Sequence, residues 1–339
     1  MITLLNQLIQ VRLTAPDLEA SVRFYEEQVG MRVIRRTADA AYLRNWGDYY
    51  EYSLVLTHGD EPALSRMTWR TESADALEEA ARRIEAAGVI GEWTEPAAGY
   101  GRSYIFTGPW GHTMQLVWEV ERFHGEGEFE SVYPDRPERR SRHGVAPRQL
   151  DHVTIAASNV REFAAWYTEV LGFRTMAHTT LEHGGISVFS VLTTNEKSHD
   201  LGVVLDGSSR AGRANHFAYW VDTREDLLRA ADILMENGIG MEYGPSIHGI
   251  GEQNFLYFRD PSTFRIEVNT GGYRNYVPDW EPYEWHPAQG SNNFYKNSQM
   301  PHSMTESFPP ADGPSATEEG VFPGTEDKLL NPYSEHGLG

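Results

Sequence analysis

The chain has 339 residues, no Cys, 29 Lys and Arg against 49 Asp and Glu, and a formal net charge of -20. Its length and an apolar share of 40% predict two globular domains, each able to bury a core. The acidity argues against nucleic acid or an anionic membrane as partners, since both need a basic face, and the lack of Cys removes disulfides and thiolate chemistry.

In chain order, residues 11–14 alternate like a strand, residues 17–25 carry helical apolar spacing, and the run stops at Gly30. The same succession of strand, helix and glycine stop recurs at 67–88, 152–172 and 217–238. Strand-like alternation follows each helix, at 42–57, 103–117, 186–205 and 255–268. These runs predict an α+β chain of four βαβββ modules, paired into two similar half-barrel domains, 1–120 and 150–273. Residues 121–149, charged and broken by Pro134, Pro137 and Pro147, read as a linker. Half of the 18 Pro residues lie beyond residue 273, so 274–339 reads as a long coil packed on the second domain near its site, its last stretch frayed. No run is apolar and long enough to span a bilayer. Residues 1–13 lack a basic leader and a cleavage site and belong to the first module, so the expected compartment is cytoplasmic.

Aligning the halves on their glycine stops exposes one difference. His152 and Gln10 each lie 20 residues before a stop, at Gly172 and Gly30. His216 and Arg66 each lie 22 before one, at Gly238 and Gly88. Glu267 and Gln115 each lie six after Pro261 and Pro109. One half carries His, His, Glu where the other carries Gln, Arg, Gln. Two His and a carboxylate form a facial triad suited to Fe(II), with Mn(II) the less favoured ion. Three open positions remain, two for a catechol and one for dioxygen. The first half is expected to hold no catalytic metal and to serve as scaffold and for subunit contacts. His58, His112, His178 and His286 are given no role.

The residues around the triad carry a family resemblance. Ile247-His248-Gly249, then Leu256-Tyr257, Asp260-Pro261 and Glu267 match a signature, as does the loop of residues 195–201. Over roughly residues 9–273 the chain resembles the type I extradiol dioxygenases of the vicinal oxygen chelate superfamily, of the catechol 2,3-dioxygenase kind. Ser246 and Thr263 depart from the signature, where small or Gly-like residues usually stand. The resemblance implies His199 as the acid–base residue and His248 and Tyr257 as hydrogen-bonding partners of substrate and intermediates. It also implies a catecholic substrate, dioxygen as co-substrate, cleavage beside the diol to a muconic semialdehyde, and a homo-oligomer, a tetramer by preference.

Three rivals remain at this stage. One is another triad dioxygenase acting on an aryl 2-oxo acid or an acidic catechol. Another is a glyoxalase-like isomerase, which wants a fourth ligand that Gln10, Arg66 and Gln115 do not supply. The third is a non-catalytic aromatic-binding module, which has no use for ionisable ligands. A carboxylate-bearing catechol needs a pocket cation, and no Arg lies beyond Arg274. Catechol or an alkyl- or halocatechol is therefore expected, under a lid of Tyr276, Trp280, Tyr283, Trp285, Phe294 and Tyr295. Arg210, Arg213 and Arg274 are the cations that could overturn that expectation.

Overall fold

The computed structural model describes residues 3–181 and 185–311. Module one runs β1 (Leu5–Ala15), α1 (Leu18–Phe24), β2 (Arg32–Arg36), β3 (Ala40–Arg44) and β4 (Leu54–His58). Module two is β5 (Ala63–Thr71), α2 (Ala74–Ala86), β6 (Gly91–Thr94), β7 (Ser103–Thr107) and β8 (Thr113–Val117). Module three is β9 (Gln149–Ala157), α3 (Val160–Leu171), β10 (Arg174–Thr180), β11 (Ser187–Thr193) and β12 (Leu201–Leu205). Module four is β13 (Ala214–Trp220), α4 (Arg224–Glu236), β14 (Tyr243–Ile247), β15 (Gln253–Arg259) and β16 (Arg265–Gly271).

Each helix starts where a polar side chain accepts an orphan backbone N–H: Asp17, Ser73, Asn159 and Thr223. Gly30 and Gly172 close α1 and α3 in the left-handed region, at φ 83° and 76°. A side chain at Gly30 is also barred by space, since its Cβ would lie 2.2 Å from the His143 carbonyl oxygen of the inter-half connection. Module one departs from a plain helix, because α1 continues as one π-type turn over Tyr25–Val29.

The first two modules form one eight-stranded sheet in the order β2-β3-β4-β1-β5-β8-β7-β6. The last two form a nine-stranded sheet, β14-β15-β16-β13-β9-β12-β11-β10-β17, whose edge strand β17 (Tyr283–Trp285) comes from the tail. That strand was read from sequence as coil; three residues are too few for a period to register. Along β1 and β9, Val11, Leu13, Val153 and Ile155 enter a core shared by both halves. Gln10, Arg12, His152 and Thr154 alternate onto the opposite faces. Across the halves, Tyr25 donates to Asp260 at 3.1 Å and Trp69 meets Phe173 edge-on at 5.1 Å. The turn after Asp260 places Thr263 at φ 70°, an unusual conformation for a β-branched residue. The expectation of a frayed end at 312–339 lies outside the described residues.

Candidate metal centre

The strand registers place the triad. His152 on β9 lies opposite Ala218 on β13, and Ala218 lies beside Glu267 on the parallel neighbour β16. His216 is two residues before Ala218 and so shares its face. Ala218 has no bulk to fill the space between its neighbours. In the first sheet the same register puts Thr68 between Gln10 and Gln115. There the Thr68 hydroxyl closes the gap, 2.7 Å from Gln10 Oε1 and 3.3 Å from Gln115 Oε1. Register thus supports the pairing inferred from glycine spacing, and one small residue separates an open site from a tied one.

His152, His216 and Glu267 are buried and form one group able to hold a metal ion. His152 Nε2 lies 3.2 Å from His216 Nε2 and 3.2 Å from Glu267 Oε2, and His216 Nε2 lies 3.1 Å from the same oxygen. The outer ring nitrogens decide what those atoms are. His152 Nδ1 lies 2.9 Å from Asp151 Oδ2, and a carboxylate only accepts, so the proton sits on Nδ1. His216 Nδ1 donates to Asn215 Oδ1 at 2.8 Å. The amide orientation of Asn215 follows from its Nδ2, which donates to the carbonyls of Met304 at 3.0 Å and Glu306 at 2.9 Å.

With Nδ1 of each ring carrying a proton, Nε2 of a neutral ring is a lone pair, and both Nε2 atoms point at one carboxylate oxygen. Such a donor set needs a cation. Bonds of about 2.1 Å place adjacent octahedral ligands about 3.0 Å apart, close to the separations here. Glu267 Oε1, buried and without a hydrogen-bond partner, is a further sign of fit. Protonation cannot serve both rings. Burial lowers His216 to about 4, whereas at His152 burial is outweighed by Glu267 and Asp151, which raise it to about 9.

The other expected site residues converge on the same hollow. The His199 ring, in the β11–β12 loop, lies 4.4 Å from that of His152, and burial, then the charge of His152, holds it well below the usual imidazole range. Tyr257 lies opposite Glu267 in the β15–β16 ladder. Its hydroxyl is 3.0 Å from His248 Nε2, and His248 Nδ1 donates to the Asn292 carbonyl at 2.6 Å. His248 Nε2 is thus an acceptor and Tyr257 the donor. Burial, then Glu267, pushes the Tyr257 phenol well above its ordinary value.

A cavity of about 200 Å³ opens over these groups, walled by Val188, Phe189, Ile250, Pro287, Met300 and Met304. Arg213 is in the wall, but its Nη1 meets both Asp206 oxygens at 2.8 Å and its other nitrogens reach the carbonyls of Ser307 and Pro309. Arg210 pairs with Glu61, and Arg274 lines a different surface hollow beside Lys197. The aromatic lid is corrected. Tyr276, Tyr283, Phe294 and Tyr295 are exposed, while Trp280 and Trp285 pack against the cluster of Met176, Ala177, Val191 and Ile250, with Trp280 donating to the Met176 carbonyl in β10. The tail reaches the cavity with prolyl, methionyl and backbone groups instead.

Sequence reasoning missed Asp151 and Asn215, which sit directly before His152 and His216. Strand alternation predicts that such neighbours point away. At Asn215 the ladder with β9 shifts register between Ala214 and His216, which breaks that rule. Lys197 belongs to the loop of residues 195–201. Its ammonium lies 2.6 Å from Asp151 Oδ1, and Asn269 donates to Asp151 Oδ2 at 2.8 Å. Lys197 and His152 thus hold Asp151 ionised against the cost of burial.

Comparison with known proteins gives the family and the fold. The family described as Glyoxalase/Bleomycin resistance protein/Dioxygenase superfamily matches residues 7–116 and 149–268. A manganese-dependent 2,3-dihydroxybiphenyl 1,2-dioxygenase from Geobacillus genomosp. 3 is 36% identical over 279 residues, covering 81% of this chain and 88% of the relative. A metapyrocatechase from Geobacillus stearothermophilus is 31% identical over 280 residues, covering 82% and 85%. The fold is shared with the 2,3-dioxygenase of Pseudomonas sp. KL28, at a TM-score of 0.74 and 24% identity, covering 83% of this chain and 97% of that one. It is shared also with homoprotocatechuate 2,3-dioxygenase of B. fuscum, at 0.78 and 21%, covering 89% and 81%. Among the described residues, no helix is long and apolar enough to cross a membrane.

Proposed function

We propose, from the premise that this chain belongs to the glyoxalase/bleomycin resistance protein/dioxygenase superfamily and is an extradiol ring-cleaving dioxygenase, that it cleaves catechol and catechols with an apolar substituent, using Fe(II). One observation carries the substrate reading: the triad lies under an apolar wall whose one arginine, Arg213, is already neutralised by Asp206. Burying a substrate carboxylate there without a free cation is costly. The relative named for 2,3-dihydroxybiphenyl is consistent with an apolar substituent, which here would lie toward Phe189, Met300 and Met304.

His152, His216 and Glu267 hold the ion, and the same donors accept Mn(II). Bound there, the ion would supply open positions for the diol and dioxygen and a route for electron density from ring to dioxygen. The chain's own groups do the rest. His199, kept neutral by burial, accepts a proton from the diol and returns it as the ring opens. Tyr257, kept protonated and set by His248, donates a hydrogen bond to the substrate oxygens. Asp151 and Asn215 keep the ligand rings in one tautomer. The tail from Pro287 to Met304 completes the lining of the cavity. Both atoms of dioxygen enter the product, a ring-opened carboxylate with an aldehyde or ketone, and no external reductant is consumed.

The test is steady-state turnover of the Fe(II)-loaded chain on methylcatechols, 2,3-dihydroxybiphenyl and 3,4-dihydroxyphenylacetate. The apolar substrates should win by at least about tenfold in kcat/KM, or ~1.4 kcal/mol. No coloured ring-opened product from any catechol would end the reading. A ratio near one, or reversed, would mean that the Asp206–Arg213 pair opens to a substrate carboxylate.

A further inference from the structure

The face of the first sheet that corresponds to the catalytic cavity is not a blank. One transverse row of that sheet can be followed through its ladders. Arg35 on β2 lies opposite Tyr42, Tyr42 opposite Val55, Val55 beside Arg12, and Arg12 opposite Arg66. The equivalent row of the second sheet runs Ala177, Val191, Gly202, Thr154, His216, and its last two members line the catalytic cavity. Where that row ends in a metal ligand, the first row ends in two arginines side by side.

Three guanidinium groups thus share one row in a chain of net charge -20. Among the described residues none of the three forms an ion pair within 4.0 Å of a carboxylate. Arg12 Nε, Arg66 Nε, and Arg35 Nε and Nη2 are all buried without a hydrogen-bond partner. So is Nε2 of Gln10, the neighbour of Arg12 on the same face, at 1% exposure. Glu51 acts on Tyr52 at the border of the cluster but pairs with none of the arginines. Burial, then the charge of Arg12, lowers the pKa of Arg66, which is the signature of a cation lacking its counter-ion.

The wall beside the row is aromatic. Arg35 stacks over Tyr42 at 4.0 Å, Tyr42 meets Tyr52 at 5.0 Å, and Tyr52 meets Tyr100 at 5.5 Å. Guanidinium forks match the two oxygens of a carboxylate, and the half-buried Tyr42, backed by the buried Tyr52 and Tyr100, gives the row an aromatic side for a flat conjugated body. We propose that the Arg12–Arg35–Arg66 face of the first half-barrel is a binding site for a flat, conjugated organic carboxylate, separate from the metal centre.

The experiment is calorimetric titration of the full-length, metal-loaded protein with benzoate, with cyclohexanecarboxylate and inorganic phosphate as comparison probes. Benzoate should bind once per chain in a way that catechol does not displace, and at least about tenfold more tightly than either comparison probe. Arg66→Met and Arg12→Leu should each weaken benzoate at least about tenfold while catechol turnover stays within about twofold of the parent chain. Arg66→Lys, which keeps the charge without the fork, should retain part of the affinity, and it stands in should Arg66→Met fail to fold. Undiminished benzoate binding in these variants would overturn the proposal. Phosphate binding as well as benzoate would overturn the ligand class. Loss of oligomeric state in the variants, with no benzoate binding by the parent chain, would make the face a subunit interface and overturn the site.

Discussion

Asn215 performs two tasks through one amide, and substituting it separates them. Its oxygen takes the His216 Nδ1 proton at 2.8 Å, and its nitrogen holds the tail by the Met304 and Glu306 carbonyls. The residue is 2% exposed, so water does not replace what is lost. In Asn215→Leu, two groups lose their partner, His216 Nδ1 and the Met304 carbonyl, while the Glu306 carbonyl keeps Arg265 at 3.0 Å. At about 1–3 kcal/mol for each unsatisfied buried group, the metal-free fold should lose roughly 2–6 kcal/mol. Freeing the ring of His216 should also weaken metal binding about 10–100-fold, the usual effect of removing a partner that orients a ligand. Asn215→Asp keeps an acceptor for Nδ1 but has no donor for the tail. It should hold the metal nearly as well as the parent chain while residues 300–311 become more accessible. Anaerobic competition against a chelator reads the affinity, and hydrogen exchange over residues 300–311 reads the tail. Parent-like metal affinity in Asn215→Leu would show that Asn215 does not fix the tautomer of His216, and the reasoning would fail.

His152→Ala, His216→Ala and Glu267→Ala should each lose most of the bound metal while their circular dichroism stays that of the parent, since the strands are held by packing; full occupancy by elemental analysis in all three would remove the triad. His199→Phe should keep its metal and slow turnover about 10²–10⁴-fold, and unchanged turnover across the pH range would exclude its acid–base role. His112 is buried with Nε2 2.8 Å from the Arg213 carbonyl oxygen, and burial lowers its pKa to about 4. Its folded value lies below the unfolded ~6.5, so its contribution is present above that pH and is lost as pH falls toward 4. Asp260 and Asp200, raised by burial to about 7 and about 6, act in the opposite sense over part of the same range. The clean quantity is therefore the difference in unfolding free energy between the parent and His112→Gln, which should shift against the parent by about 2.5 kcal/mol from pH 7.5 to 4.5; a difference independent of pH would refute it.

The four-module plan and the grouping of His152, His216 and Glu267 were legible because they rest on local or periodic signals. Glycine stops mark helix ends, alternation marks strands, and duplication lets one half serve as the reference for the other. His152, His216 and Glu267 stood out because Gln10, Arg66 and Gln115 occupy matching places, and the strand registers carry the same correspondence. That Ala218 leaves the ligands room while Thr68 ties its neighbours together is written in the sequence too, but only register gives those two residues their meaning.

The rest depended on groups with no signature along the chain. The partners that orient His216 and His248 include backbone carbonyls of Met304, Glu306 and Asn292, and any residue supplies a carbonyl. Asp151 and Asn215 break strand alternation, so a period-two reading points them away from the rings they hold. The aromatic lid failed because composition does not say which way a coil turns, and Tyr276, Tyr283, Phe294 and Tyr295 turned outward. The three arginines of the first sheet lie on β1, β2 and β5, and only pairing across strands makes them neighbours. Sequence determined which residues carry charge and which face of each element they share, because both follow from residue type and backbone period. Tertiary structure decided which charges meet a partner and which are left alone, because that depends on distances between segments that no local period encodes.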